Sequence, residues 1–228
     1  MEAVILAGGK GTRLKPYTTS FPKPLMPIGD KPILEKVINN LSESGINKIT
    51  ITVGHLAELI MAYFGDGKKF NVKIEYSKED SPLGTAGPIN LIKHSIGDSF
   101  ILMNGDVLTD INLSDLINFH QTNNNLATIA LSKRDVFIDF GVVEIDKQGF
   151  LSKWIEKPTI DYLVSTGIYV LNKKALDYLP EGFSNLPDLI VSMINNNEKV
   201  STFVHEGEWL DIGREEDYIA ACNKFVSD

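Results

Sequence analysis

The first half of the chain alternates between short apolar runs and segments whose apolar residues recur at helical spacing. The short runs, rich in Val, Ile and Leu, predict buried strands, and the amphipathic segments between them predict helices. The predicted strands span 3–6, 48–53, 72–76, 100–104 and 126–131, and the predicted helices span 32–44, 57–64, 87–96 and 113–124. Strands separated by helices form βαβ units, which predicts a parallel sheet with helices on both faces.

The second half of the chain has a different pattern, with more extended segments. Two of them, 140–145 and 150–155, flank Asp146-Lys147-Gln148-Gly149, a turn signal of β-hairpins. Further strands are predicted over 162–171 and 200–205, and further helices over 173–179, 186–196 and 214–225. We expect these strands to run antiparallel and to cover one side of the sheet. Because there is no repeat and no long linker, we expect one domain over residues 1–228, an α/β fold with a Rossmann-like, mixed but mostly parallel sheet flanked by helices.

A glycine cluster follows the first predicted strand. Gly8, Gly9 and Gly11 have no β-carbon, so backbone N–H groups there can close around an anion. Residues 7–29 contain no Asp or Glu in a chain whose net charge is −8, and they carry positive charges on Lys10, Arg13, Lys15 and Lys23. A local cationic loop on an acidic protein favours a small polyanion over nucleic acid, which binds extended basic surfaces.

Two common phosphate-binding motifs do not account for this loop. The dinucleotide fingerprint G-x-G-x-x-G begins at Gly9 but has Leu14 where its third glycine belongs. The P-loop requires Gly-Lys followed by Ser or Thr, which occurs nowhere in the chain. Lys23 lies in a proline-rich run at 21–28, which stiffens the backbone around a cation that must meet a phosphate.

The composition of the chain bears on its cellular compartment and on its possible partners. The single cysteine, Cys222, cannot form an intramolecular disulfide, and such sparse cysteine usage favours a reducing compartment. The N-terminus lacks the basic-then-apolar pattern of a signal peptide, and no apolar run approaches the roughly 20 residues that span a bilayer. We therefore expect a cytoplasmic protein without a membrane partner. The histidines, at positions 55, 94, 120 and 205, lack metal-ligand spacing.

The sequence LAGGKGTRL at 6–14, followed by PKPLMPI at 22–28, resembles the signature of the sugar-phosphate nucleotidylyltransferases. These enzymes join a nucleoside triphosphate to a sugar 1-phosphate and release pyrophosphate. The resemblance runs roughly to the end of the chain and points to a short, mannose-1-phosphate guanylyltransferase-like form without the C-terminal β-helix of longer relatives. It implies the nucleotide-diphospho-sugar transferase type of α/β fold.

The resemblance also implies where the nucleotide binds. Leu83-Gly84-Thr85-Ala86-Gly87-Pro88 is similar to the base-binding loop of guanylyltransferases that make GDP-mannose-type products, which favours GTP. A uridylyl- or thymidylyltransferase acting on a hexose or amino-sugar 1-phosphate remains the alternative, and mannose, a heptose and an amino sugar all remain open. The implied nucleotide-binding residues are Leu6, Ala7, Gly8, Gly9, Gly11, Thr12, Arg13, Lys23, Leu83, Gly84, Thr85, Asn104 and Asp106.

Two acids are candidates for a magnesium site. Asp106 follows the predicted strand 100–104 and a glycine, which directs it toward the ligand crevice, and it matches a family magnesium ligand. Mg²⁺ is usually held by one or two carboxylates together with substrate phosphates. The second candidate is Asp211, which lies between Leu210 and Ile212 and would be costly to bury unpaired. The resemblance therefore implies Mg²⁺ as cofactor and a catalytic set of Arg13, Lys23, Asp106 and Asp211.

The sugar phosphate is expected on the second half of the chain. By resemblance, Glu156 accepts hydrogen bonds from sugar hydroxyls, Lys157 meets the sugar phosphate and Gly141 lets the backbone approach the sugar, with Thr166 and Gly167 in another sugar-side segment. A regulatory subunit that only binds nucleotide sugars remains a different class, although the complete charged set favours an enzyme. A homo-oligomer also stays open.

Overall fold

A computed structural model describes residues 1–225 of the 228-residue chain, and the last three residues of the expected domain, 226–228, lie outside the described part. The strands are β1 (Glu2–Ala7), β2 (Pro27–Ile28), β3 (Lys31–Pro32), β4 (Lys48–Val53), β5 (Lys73–Lys78), β6 (Ser99–Asn104), β7 (Val107–Thr109), β8 (Ala127–Phe137), β9 (Val142–Ile145), β10 (Leu151–Ile155), β11 (Thr159–Asn172), β12 (Val200–His205) and β13 (Trp209–Asp211). The α-helices are α1 (Ile33–Glu43), α2 (Ala57–Phe64), α3 (Gly87–Asn90), α4 (Leu113–Asn123), α5 (Leu186–Asn195) and α6 (Glu215–Phe225). Short 3₁₀ turns lie at Thr12–Leu14, Tyr17–Thr19, Lys23–Leu25, Lys68–Phe70 and Lys173–Tyr178.

The central sheet has seven strands in the order β12-β8-β11-β6-β1-β4-β5. The pairs β1–β4, β1–β6, β4–β5 and β8–β12 are parallel, whereas β11 runs antiparallel to both β6 and β8. This mixed, mostly parallel sheet confirms the predicted fold class. In register, Ala7 faces Val53 and Leu6 faces Asn104, so the carboxyl ends of β1, β4 and β6 meet at one edge.

Alternation along β1 divides the core between the two faces of the sheet. Ile5 belongs to a buried cluster that includes apolar residues of α1, α2 and α4, and these helices cover one face. Val4 belongs to a second cluster with residues of α3 and α5, which cover the other face. The near-continuous apolar strands of the first half therefore arise because both faces are covered. No helix in residues 1–225 combines the length and apolar character that crossing a bilayer requires.

The structure differs from the sequence prediction in the second half. The strands β8, β11 and β12 lengthen the sheet beyond β6, so the expectation that the strands of the second half cover one of its sides is wrong for β11 and β12. The expected antiparallel direction holds for β11, whereas β12 runs parallel to β8. The open edge of β6 presents unpaired backbone groups, which β11 satisfies by joining it. The hairpin of β9 and β10 forms a separate two-stranded sheet, with its turn at the predicted position, and β13 forms another with β7.

The predicted helix 87–96 is also shorter than expected. After α3 the chain continues in turns whose N–H groups bond mainly three residues back, for example from Ile92 to Ile89 at 3.1 Å. These tighter turns still bury Ile89, Ile92 and Ile96. The apolar spacing that suggested an α-helix therefore arises from a series of tighter, 3₁₀-like turns. Likewise, the predicted helix 173–179 is the 3₁₀ segment Lys173–Tyr178.

Candidate active site

A cavity of about 810 Å³ opens at the carboxyl ends of the parallel strands. Ligands of open α/β sheets bind at this edge. All the residues predicted to bind the nucleotide, except Leu83, line this cavity, and Asp211 lies in the same wall. The predicted residues that line it are Leu6, Ala7, Gly8, Gly9, Gly11, Thr12, Arg13, Lys23, Gly84, Thr85, Asn104 and Asp106. Folding therefore gathers residues from positions 6 to 211 around one space.

The glycine loop has little room for side chains where it turns. Gly11 adopts a left-handed conformation with φ of 59°, and a β-carbon there would lie 2.9 Å from a methyl carbon of Thr18. The Thr18 hydroxyl donates to the Gly11 carbonyl at 2.7 Å, which fixes the turn from the other side. Gly9, by contrast, faces open space. The loop is rigid at Gly11 and leaves the backbone at Gly9 accessible to a ligand.

Lys23 is a buried cation at the base of the cavity. It begins a 3₁₀ turn between Pro22 and Pro24, and only 8% of its surface is exposed. Its Nζ contacts the carboxylate of Asp106. The prolines thus hold the ammonium group against this acid, and the burial makes the charge pair costly to separate.

The two acids predicted for the metal are brought together by a strand pairing that the sequence pattern does not reveal. The strands β7 and β13 pair antiparallel, with Asp211 opposite Val107, and the N–H of Ile212 donates to the Asp106 carbonyl at 3.1 Å. Burial raises the pKa of the Asp211 carboxyl, and the charge of Asp106 raises it further, while the cations Lys23 and Arg13 lower it. The two carboxylates are therefore close enough to repel each other.

This donor set fits a divalent cation that prefers oxygen ligands. Asp106 and Asp211 would supply two carboxylates, and substrate phosphates and water commonly complete the coordination of Mg²⁺. Within residues 1–225 there is no group of three or more His, Cys, Asp or Glu side chains arranged around a metal site. A cation at this place would offset the raised pKa of Asp211, because it favours the ionised carboxylate.

The raised pKa of Asp211 predicts that this carboxylate lowers the stability of the metal-free protein. A group whose pKa is raised on folding stabilises the fold when protonated, and this contribution is lost as the pH rises above its ordinary pKa of 3.8. We expect Asp211→Asn to raise the Tm of the metal-free protein by about 2 °C or more at pH 7, and the difference to vanish toward pH 3.5. Thermal unfolding followed by circular dichroism across this pH range measures it. A lower Tm at pH 7 would mean that protein groups already satisfy the carboxylate.

The predicted sugar-side residues lie outside the cavity lining. Glu156 accepts a hydrogen bond from the Trp154 indole at 3.0 Å, and a β-carbon on Gly141 would lie 2.7 Å from the same indole ring. Lys157 pairs with Asp139 at 2.7 Å, and both side chains are more than half exposed. The structure thus brings Gly141, Glu156 and Lys157 together at the base of the β9–β10 hairpin.

The segment around Gly167 connects this hairpin region to the cavity. The pairing of β11 with β8 is irregular between Ser165 and Tyr169, and Gly167 has φ of 76°. A β-carbon on Gly167 would lie 2.5 Å from the side-chain amide nitrogen of Asn104. Thr166 is buried and donates its hydroxyl to the Ala130 carbonyl at 2.8 Å, so that hydroxyl is committed to the fold.

Sequence reasoning missed Glu79 in the cavity wall. Its Oε2 accepts the N–H of Leu83 at 3.0 Å, and its carboxylate lies against Gly8 and Gly54, where any β-carbon would overlap it. The predicted strand 72–76 ended too early, whereas β5 continues to Lys78 and delivers Glu79 to the ligand edge. An acid directly after a parallel strand is the signal that could have identified it.

The loop at 83–87 is held by a second segment that the sequence did not indicate. The Ser184 carbonyl accepts the N–H groups of Ala86 at 2.9 Å and Gly87 at 3.1 Å, and the Thr85 hydroxyl accepts the N–H of Leu186 at 2.9 Å. A β-carbon on Gly84 would overlap the Ser184 carbonyl. The neighbouring Phe183 lines the cavity with 65% of its surface exposed. The loop at 83–87 is therefore held in place by a segment about 100 residues further along the chain.

Known proteins are similar to this chain in sequence and in fold. The chain is 33% identical over 234 residues to a probable mannose-1-phosphate guanylyltransferase 2 of Oryza sativa subsp. japonica, covering 99% of this chain and 65% of that protein. It is 34% identical over 247 residues to a UTP–glucose-1-phosphate uridylyltransferase of Synechocystis sp., covering all of this chain and 64% of that protein. The chain thus spans less than two thirds of the length of these relatives.

A crystal structure of a putative glucose-1-phosphate thymidylyltransferase from Bacillus anthracis, in complex with a sucrose, has the same fold. It superposes with a TM-score of 0.82 at 24% identity and covers 100% of this chain and 96% of that one. The family model described as nucleotidyl transferase matches residues 2–227. This match extends over nearly the whole sequence and includes the glycine loop, both acids and the loop at 83–87, so the chain belongs to the nucleotidyl transferase family.

Proposed function

We propose that this protein transfers a nucleotidyl group from a nucleoside triphosphate, with GTP favoured, to a sugar 1-phosphate, giving an NDP-sugar and pyrophosphate. The observation that carries the proposal is the β7–β13 ladder, which pairs Asp211 with Val107 and so places it beside Asp106 in the wall of a glycine-lined cavity. The family and the names of the relatives support it. Mannose, a heptose and an amino sugar are the candidate sugars.

The proposed reaction requires positioning of the two substrates and stabilisation of charge, but it does not require a general base. An oxygen of the sugar phosphate, already an anion, attacks the α-phosphorus, and the bond from the α-phosphorus to the bridging oxygen breaks as pyrophosphate leaves. The backbone at Gly9 and the guanidinium of Arg13 would hold the triphosphate, and Lys23 would place its ammonium group at the α-phosphate. Alignment of the reactants can contribute about 7–11 kcal/mol, and fixed cations offset the repulsion between two polyanions.

The proposed cofactor is Mg²⁺ held by Asp106 and Asp211. When bound, it would supply positive charge to the phosphates of both substrates. Lys23 already neutralises Asp106 in the free protein, so this cavity keeps a cation beside that acid before any ligand arrives. On the sugar side, Glu156 would accept hydroxyl hydrogen bonds and Lys157 would exchange its contact with Asp139 for the sugar phosphate.

Glu79 supports the preference for GTP. Guanine presents its N1–H and N2–H donors together on one edge, and a carboxylate can accept from both. Uracil and thymine flank their single N–H with two carbonyl oxygens, which a carboxylate repels. Since Glu79 lines the cavity and is hydrogen-bonded to the loop at 83–87 through Leu83, we propose that its carboxylate faces the nucleobase.

This assignment predicts the effect of Glu79→Gln on base selection. The amide retains an acceptor for the N–H of Leu83 but places a donor opposite those of guanine. We expect the ratio of kcat/KM for GTP over UTP to fall roughly 10- to 100-fold, as expected for loss of one bidentate base contact. Asp80→Asn is the matched control, because Asp80 also lines the cavity, and we expect it to leave the ratio within about 3-fold. An unchanged ratio in Glu79→Gln would remove Glu79 from base recognition.

The function itself is tested by a matrix of the four nucleoside triphosphates against several sugar 1-phosphates, with pyrophosphate release as the readout. We expect turnover only when both substrates and Mg²⁺ are present, and the fastest turnover with GTP. Preference for UTP or TTP would favour the uridylyl- or thymidylyltransferase alternative. Tight binding of a nucleotide sugar with no pyrophosphate release in any combination would instead indicate a regulatory subunit.

A further inference from the structure

The β7–β13 ladder is closed, at the end opposite Asp211, by a cluster of polar groups. One oxygen of the Asp110 carboxylate, directly after β7, accepts the backbone N–H of Glu208 at 2.6 Å. The same oxygen lies 2.8 Å from Nε2 of His205. Since an ionised carboxylate only accepts, Nε2 of His205 carries the proton of this hydrogen bond. We call the three residues Asp110, His205 and Glu208 the ladder clamp.

Backbone groups and a glycine complete the ladder clamp. The N–H of Asp110 donates to the Glu208 carbonyl at 3.3 Å, and the Thr109 hydroxyl donates to the same carbonyl at 2.7 Å. A β-carbon on Gly207 would lie 2.5 Å from the Asp110 carboxylate and 2.6 Å from the His205 ring. The turn therefore packs closely around the carboxylate, and only a glycine fits at position 207 without moving it.

The ladder clamp ties the ladder to the edge of the central sheet. His205 is the last residue of β12, the outermost strand, and only 11% of its side chain is exposed. The clamp thus links a strand that the sheet holds in place to two strands of three residues each. A two-stranded ladder is marginally stable at best by itself, so the position of this one depends on the contacts at its ends.

We propose that the ladder clamp positions the two acids of the proposed metal site, Asp106 and Asp211, relative to each other. The inference rests on the proposed function for the nature of the ligand, a divalent cation. Asp110 and His205 are not among the residues that line the cavity, so they would act through the ladder rather than by contact with the substrates. Groups that orient metal ligands in this way typically contribute 10- to 100-fold in metal affinity.

The path from the clamp to the acids is short. The ladder has three residue pairs, and the last of them places Asp211 opposite Val107. The next residue, Ile212, donates its N–H to the Asp106 carbonyl at 3.1 Å. This hydrogen bond joins the two chain segments that carry the acids, so its protection from exchange reports whether the clamp holds them together.

Other contacts should keep the chain folded when the clamp is removed. The Trp209 indole N–H donates to the Thr166 carbonyl at 2.9 Å, which attaches β13 to β11 independently of the clamp. Lys224 pairs with the Glu208 carboxylate, which attaches the same turn to α6. Loss of the Asp110 carboxylate should therefore loosen the ladder without unfolding the domain.

The first test compares Asp110→Ala with Asp110→Asn by amide hydrogen exchange, followed by NMR without substrates or metal. The alanine removes the acceptor of both clamp hydrogen bonds, whereas the asparagine keeps an oxygen that can accept both. We expect the N–H of Ile212 to exchange at least 10-fold faster in Asp110→Ala than in the wild type, and Asp110→Asn to stay within about 3-fold.

The N–H of Gly105 is the internal reference, because it bonds to the Leu6 carbonyl at 2.9 Å beside Asp106 but does not depend on the ladder. A general loss of stability would speed both N–H groups, so the readout is the ratio of their rates. An unchanged ratio in Asp110→Ala overturns the proposal, as do equal effects of the two variants. If Asp110→Ala does not fold, His205→Ala is measured in the same way, with an expected change of at least 3-fold, and an unchanged ratio overturns the proposal.

The second test is the Mg²⁺ concentration that gives half-maximal pyrophosphate release. We expect it to rise 10- to 100-fold in Asp110→Ala, while kcat and the KM for GTP at saturating Mg²⁺ stay within about 3-fold. Glu206→Ala is the matched control, because Glu206 is exposed in the same turn, and it should behave like the wild type. An unchanged Mg²⁺ requirement in an active Asp110→Ala variant overturns the proposal. If the wild type releases no pyrophosphate, the proposed function fails, and the exchange ratio still decides whether the clamp positions the two acids.

Discussion

Replacement of Asp106 by Asn is expected to lower kcat by about 10³-fold or more while the fold stays intact. The substitution keeps the shape of the side chain but removes the negative charge that would hold a cation over the reacting phosphates and that neutralises Lys23. Removal of a single preorganised electrostatic contact in an active site commonly costs 10²–10³-fold in rate, and a bound metal contributes more than one contact. Pyrophosphate release at saturating Mg²⁺, GTP and sugar phosphate is the measurement.

Asp211→Asn should have an effect of similar size, and the double variant should lose little more than either single one. Residues that hold one ion act as a unit, so their effects do not add. Asp115→Asn is the control, because Asp115 is an exposed acid at the start of α4, and its kcat should remain within about 2-fold of the wild type. Near-normal turnover of Asp106→Asn, or effects that multiply in the double variant, would contradict a shared site.

Replacement of Lys23 by Met is expected to lower kcat by about 10²–10³-fold and, at the same time, to lower the Mg²⁺ concentration needed for half-maximal rate. The rate falls because a buried cation is lost from the α-phosphate. The Mg²⁺ requirement falls because the Lys23 ammonium contacts the Asp106 carboxylate and competes for it with any other cation. The two changes in opposite directions distinguish this variant from one that merely damages the site.

Without metal, Lys23→Met should also have a lower Tm than the wild type, since Asp106 loses its buried partner, and added Mg²⁺ should restore much of the difference. Titration of Mg²⁺ against both the initial rate and the Tm measures these effects. Lys15→Met is the matched control, because this exposed cation lies in the same basic segment, and we expect little change in either quantity. A higher Mg²⁺ requirement in Lys23→Met would show that the ammonium assists the metal site rather than competing with it.

Local patterns predicted most of the fold. The strands β4 and β12 and the helix α2 begin and end at the predicted residues, because each has a complete apolar pattern with a clear end signal. The short strands β7 and β13 were not predicted, since three residues contain no measurable periodicity. Yet their pairing brings Asp106 and Asp211 together. The sequence indicated both acids individually, through their positions and a family resemblance, but it contained no local sign that they are neighbours.

By itself, the sequence determined the alternating α/β architecture, the glycine loop and the cationic segment around Lys23, because all of these depend on residues close together in the chain. Only the tertiary structure decided that Lys23 meets Asp106, that Glu79 enters the cavity wall and that Ser184 holds the loop at 83–87. It also decided that the apolar side chains of the β9–β10 hairpin are exposed in the single chain. The physical reason is that burial and charge pairing depend on which surfaces folding brings together, and residues far apart in sequence leave no shared pattern from which that contact can be read.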